Sequence, residues 1–156
     1  MRGIQVLFFC ALLMLAPYFC RNAAAMESEW RSEILHHVNL ARSEAGLAPL
    51  AWNSRLAQAA AIHAADLQHC GKLAHEGCDG SDLPQRLDRA AYRYRAAAEN
   101  LALCACDAAG VVRLWLGSEG HRRNLLNPGI TELGADTRVD TTDPRRALWV
   151  LVLGRE

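Results

Sequence analysis

The segment Trp115 to Pro128 packs titratable, apolar and helix-breaking residues into one short stretch. Val111, Val112 and Trp115 fit a short amphipathic helix that Gly117 and Gly120 break just before His121. A histidine in a post-helical turn can be aimed into a cleft, where a neutral imidazole serves as proton carrier or metal ligand. Its alternative role is to hold the turn together. Glu99 is the second conspicuous residue: Ala96, Ala97 and Ala98 precede it and Leu101 follows. A carboxylate in such surroundings is partly buried and must be paired or hydrogen-bonded. His75 lies in a glycine-rich loop from Gly71 to Ser81. His75-Glu76 lacks the second histidine of an H-E-x-x-H zinc motif, and no G-x-S-x-G is present. Ser81 and Ser118 read as turn or cap residues, so no nucleophile motif appears.

The elements that must position these groups follow from periodicity. Glu29 to Ala45 places Trp30, Ile34, Val38 and Ala41 at helical spacing, with Gly46 as the stop. Pro49 holds a turn, and Asn53 caps a second helix whose apolar stripe is Leu56, Ala60, Ala64 and Leu67. His36, His37, His63 and His69 fall on these two helices without ligand-like spacing and read as structural. A third helix runs from near Asp82 to about Ala91, with Pro84 in its first turn. Asp107 caps the helix that contains Trp115. Thr131 to Val139 and Ala147 to Leu153 read as two strands joined through Thr142 to Arg145, an antiparallel hairpin. Helices first and strands last imply an α+β arrangement.

The 156 residues suit one domain with a real core, and 51% hydrophobic with 22% charged residues is ordinary globular composition. No basic run or basic-aromatic stripe points to nucleic acid. Arg2 followed by an apolar run from Ile4 to Phe19, then Ala23-Ala24-Ala25, predicts a signal peptide over residues 1–25 and a mature domain over 26–156. An uncleaved membrane anchor is the alternative; once the signal is removed, no stable transmembrane span is expected. Export would place the protein in a secreted or periplasmic compartment and remove Cys10 and Cys20. Cys70, Cys78, Cys104 and Cys106 then mature where disulfides persist. Pairing between the 70/78 and 104/106 clusters is preferred here, because closing Cys104 onto Cys106 makes a very tight ring. A four-thiolate zinc site is the rival, with poor spacing.

The ordered set Asn39-Leu-Ala-Arg42, Gly46-Leu-Ala-Pro-Leu-Ala-Trp-Asn53, His75, Asp79-Gly80-Ser81, Ala91-Tyr92, Glu99-Asn100, Trp115, Gly120-His121-Arg122, Asn124-Leu-Leu-Asn-Pro128, Thr131-Glu132 and Gly134 resembles the bacterial branch of the CAP superfamily. These SCP-like domains are named after cysteine-rich secretory proteins, antigen 5 and pathogenesis-related proteins. The resemblance spans essentially the whole mature chain. It implies a three-layer α-β-α sandwich with a small antiparallel sheet and a cleft lined by two histidines and acids. His75 matches the first family histidine, Glu99 the glutamate of the Glu-Asn motif, and His121 the second histidine. Where many members carry a second acid, this chain has Val112, Arg113 and Trp115; Glu119 is the nearest candidate.

His75, Glu99 and His121 are therefore expected to converge in one cleft. Two neutral imidazoles facing each other make a first-row metal site, zinc foremost, with Zn–N bonds of about 2.0–2.1 Å. Two functions of different class follow. One is a secreted, non-enzymatic binding module for a lipid, peptide or envelope component. The other is a metal-assisted, peptidase-like hydrolase using His75, His121 and Glu99 as catalytic candidates. The first is the preferred expectation.

Overall fold

The computed structural model describes residues 29–156; the expected signal peptide over 1–25 lies outside the described residues. Helix α1 occupies residues 29–44, and Gly46 ends it with a positive φ of 72°, letting Leu47 N–H donate back to Arg42 O at 2.9 Å. Strand β1 (Ala51–Trp52) follows, then α2 (Ser54–Cys70), α3 (Leu83–Arg89), β2 (Ala96–Cys104), α4 (Ala108–Leu116), α5 (Glu119–Leu125), β3 (Glu132–Val139) and β4 (Ala147–Arg155).

The caps sit where the sequence placed them. Asn53 Oδ1 accepts from Arg55 N and Leu56 N at the start of α2, and Asp107 accepts from Gly110 N at the start of α4. Asp82 and Gln85 form a reciprocal capping box at α3, with a proline tolerated in its first turn.

The sheet order is β1-β3-β4-β2. The expected hairpin is present, with β3 antiparallel to β4 and Leu133 opposite Leu153. The sheet is mixed rather than wholly antiparallel, because β1 pairs parallel to β3. Central β4 has every residue from Leu148 to Leu153 buried, since helices cover both faces. Trp149, Leu151 and Leu153 face α1 and α4, joining Ile34, Val38, Val111 and Trp115. Leu148, Val150 and Val152 face α2 and α3, joining Leu56, Ala60, Leu67 and Leu87. That alternation is the α-β-α sandwich. Gly134 lets α2 approach β3 closely: a Cβ there would lie 2.7 Å from Ala57 Cα and closer still to neighbouring backbone.

The Asn39/Arg42 pair on α1 ties the outer layer to the loops. Asn39 Nδ2 donates to Leu50 O and its Oδ1 accepts from Leu50 N, standing in for a strand neighbour ahead of β1. Buried Arg42 donates to the carbonyls of Ala48, Leu125 and Asn127 at 2.8–3.0 Å. A buried guanidinium with its hydrogen bonds satisfied by backbone carbonyls is how this layer holds the turn beyond α5.

Two expectations need correction. The bridges are Cys70–Cys78 and Cys104–Cys106, within each cluster rather than between them. The loop after α2 doubles back so that Cys78 N donates to Asp66 Oδ2 beside Cys70, and the bend at Ala105 brings Cys106 within a Cα separation of 5.3 Å from Cys104. These bridges also exclude the four-thiolate zinc reading, because all four sulfurs are spent. His121, moreover, is not in a post-helical turn. Gly117 caps α4, Ser118 starts a new helix, and His121 lies in the first turn of α5 with Gly120 inside it.

Candidate functional site

Glu99 is the hub. Its strand β2 is a sheet edge, and residue alternation sends Glu99 toward the α2/α3 layer and Asn100 toward α5. The Glu99 side chain is 3% exposed. Its Oε2 accepts from Arg86 Nη2 at 2.9 Å, and its Oε1 accepts from His75 Nδ1 at 2.9 Å. His63 Nε2 lies 3.7 Å from the same Oε1. A buried carboxylate is thus fully spoken for by a buried guanidinium and an imidazole, as burial demands.

The loop bearing His75 is held from beneath. His63 Nε2–H donates to Ala74 O at 2.9 Å, and Arg86 donates to His75 O at 3.0 Å and to Ser81 O at 2.7 Å. The Cys70–Cys78 bridge and the Asp66 bond to Cys78 N pin the loop's two ends. The His75 side chain is nonetheless 64% exposed. With Nδ1 bonded to Glu99, the other ring nitrogen, Nε2, lies on the side of the ring away from the carboxylate.

His121 comes to the same sheet edge from the other layer. Asn100 Nδ2 donates to His121 O at 3.1 Å, and Asn124 Nδ2 donates to Asn100 Oδ1 at 2.9 Å and to Glu99 O at 3.4 Å. Trp115 Nε1–H donates to Leu101 O, so α4 and α5 cover the outward carbonyls of the edge strand. Burial, and then the charge of nearby His75, push the His121 imidazole below its ordinary pKa. The half-buried ring is therefore held toward its neutral form.

His75 and Glu99 are in direct contact, and His121 is close enough to feel His75 electrostatically. Glu119 is not part of this group. Its side chain is 94% exposed and pairs with Arg123 at 3.9 Å, one turn along α5. Sequence reasoning missed His63 and Arg86. His63 falls at the 56–60–63–67 spacing of the apolar stripe, a register that places it inside; Arg86, one residue before buried Leu87, carried no such mark. An open cavity of about 400 Å³ is lined by His75, Glu76, Asp82, Leu83 and Glu99. Asp66, Cys70 and Cys78 also bring donor atoms within 4.8 Å of one another, but the two sulfurs are bonded together and offer no thiolate.

The model of the cysteine-rich secretory protein (CAP) family matches residues 35–153. The chain belongs to the CAP family. Relatives in Bacillus subtilis strain 168 are the uncharacterised membrane protein YlbC, 32% identical over 71% of this chain and 34% of its own length, and the uncharacterised protein YkwD, 27% identical over 72% and 44%. The chain thus spans less than half the length of these CAP relatives. Among solved structures, an extracellular SCP-domain protein of Bacillus anthracis strain Ames superimposes with a TM-score of 0.75 at 29% identity, over 83% of this chain and 41% of that one. An outer surface protein of Borrelia burgdorferi shares the fold, with a TM-score of 0.69 at 23% identity, over 84% and 92%. Among the described residues of this CAP domain, no helix is long and apolar enough to cross a membrane.

Proposed function

We propose that this CAP domain is a secreted or periplasmic, non-enzymatic binding module at the cell envelope or outside the cell, whose cleft around His75 and His121 takes a divalent metal or a small ligand such as lipid. The observation that carries this reading is the commitment of Glu99. Its carboxylate is bonded to Arg86 and His75, so it orients a ring instead of standing free as a base. A carboxylate that accepts from the far nitrogen of an imidazole is the usual outer partner of a metal-bound histidine. His75 Nε2 and the His121 ring, whose pKa burial pushes down, fit a zinc site in donor chemistry, and Glu76 and Asp82 give the adjoining cavity the sign that suits a cation. A bound divalent ion would supply positive charge against which an anionic group of a lipid, peptide or envelope component could dock.

The test is isothermal titration of the purified mature protein with zinc, alongside His75→Ala and His121→Ala. Each variant is expected to bind at least tenfold more weakly than wild type. Equal weak binding by wild type and His121→Ala would end the metal role. Chelator-sensitive hydrolysis of a peptide or ester by the wild-type protein would instead identify the site as a metal-assisted hydrolase.

A further inference from the structure

The turn after α3 builds a second polar cavity, which shares no lining residue with the one beside His75 and Glu99. About 510 Å³ in volume, it is lined by Arg55, Ala91, Arg93, Tyr94, Arg95 and Glu156. Six arginines elsewhere in the domain are matched to acids: Arg86 to Glu99, Arg89 to Asp79, Arg123 to Glu119, Arg138 to Asp136, Arg145 to Asp143 and Arg146 to Asp140. In this cavity the balance differs. Arg55 reaches Glu156 at 3.1 Å, whereas the exposed side chains of Arg93 and Arg95 pair with no carboxylate among the described residues. Arg155, also exposed and without an acid partner among the described residues, stands beside them, its carbonyl accepting from Arg95 N at 2.8 Å.

The backbone that displays these side chains is fixed. Ala91 sits at φ 54°, and its N–H donates to Asp88 O. Tyr92, 1% exposed, anchors the turn by donating its hydroxyl to Glu132 Oε2 at 2.6 Å, with its N–H donating to Leu87 O. The ring packs against Gly154, where a Cβ would come within 2.6 Å of the Tyr92 hydroxyl. The planar forks of arginine match the oxygens of phosphate bidentately. Tyr94, 39% exposed, adds an aromatic face for the carbon skeleton between charges. The other exposed large hydrophobic residues among those described are Leu40, Leu73, Leu114 and Val139, none of which lines this cavity. The surface therefore lacks the apolar flank that seating in a bilayer requires.

We infer that the Arg93/Arg95 cavity is a binding site for a soluble, phosphate-bearing polyanion, separate from the His75/His121 cleft. The test uses short-chain inorganic polyphosphate as the probe, titrated into the mature protein at low and high salt. Expected are binding that weakens as salt rises and a loss of about tenfold or more in Arg93→Ala/Arg95→Ala. Arg113→Ala/Arg122→Ala, exposed arginines outside the cavity, and His75→Ala/His121→Ala should bind as wild type does; circular dichroism checks that each variant is folded. The assignment is overturned if wild type does not bind polyphosphate at low salt, or if the Arg113/Arg122 control loses as much affinity. It is equally overturned if anionic phosphatidylglycerol vesicles bind where polyphosphate does not.

Discussion

Replacing Arg86 by methionine tests the claim that the site hangs on one buried charge pair. The guanidinium is wholly buried and makes three contacts: Glu99 Oε2 at 2.9 Å, His75 O at 3.0 Å and Ser81 O at 2.7 Å. Methionine keeps much of the stem's volume, so the cavity contribution is small, and the loss is dominated by stranding a carboxylate that is 3% exposed. Breaking a buried pair from one side costs about 3–5 kcal/mol. For a domain of this size that lowers Tm by roughly 12–20 °C, at about 4 °C per kcal/mol. Urea unfolding and calorimetry measure the single variants and the double variant Arg86→Met/Glu99→Gln. Because the double variant leaves no orphaned charge, it should lose distinctly less than the sum of the singles. A loss below about 1 kcal/mol in Arg86→Met, or strict additivity in the double variant, would refute the reasoning.

Three further outcomes follow from the same contacts. Gly134→Ala drives a Cβ into the α2 backbone at Leu56 and Ala57 and should cost about 1–3 kcal/mol or more, whereas Gly120→Ala meets nothing within 4 Å and should be neutral or stabilising; chemical denaturation of both variants checks the contrast. Burial lowers the His63 pKa despite Glu99, and burial with His75 lowers that of His121. The unfolded chain therefore takes up protons first, so stability is full above about pH 6.5 and falls as pH drops from there toward the folded values; a stability-versus-pH curve without that decline would contradict the shifts. Cys70→Ser/Cys78→Ser opens a loop with a sequence separation of 8 and should cost about 2.5 kcal/mol by the chain-entropy relation. Its NMR spectrum should show the His75 ring losing its single environment, while an unchanged His75 signal would mean the bridge does not position the site.

Helix caps and the β3–β4 hairpin were legible because they rest on local chemistry: Asn53 and Asp107 satisfy backbone amides within three residues of themselves. Strand β2 was not recognised, because its alanines carry little β preference and its pairing with β4 is what makes it a strand. Two-residue β1 is likewise imposed from outside, by Asn39 holding Leu50 and by the parallel ladder to β3. The demand of Glu99 for a buried partner could be read from its apolar neighbours. Arg86 as the strongest of those partners could not, since it arrives from a helix whose orientation is a tertiary property.

The alternation at Glu99-Asn100 explains why two adjacent residues can organise a site drawn from both helical layers. Glu99 turns inward to α2 and α3, where His63 and Arg86 fix the loop carrying His75; Asn100 turns the opposite way and binds the backbone of His121 and the side chain of Asn124 on α5. An edge strand is needed for this, because only at an edge can a loop from one face and a helix from the other meet without crossing the sheet. The same geometry restricts the chemistry. Both Glu99 oxygens are already engaged, Oε2 by Arg86 and Oε1 by His75. What the edge offers to solvent is therefore the exposed His75 ring beside a half-buried His121.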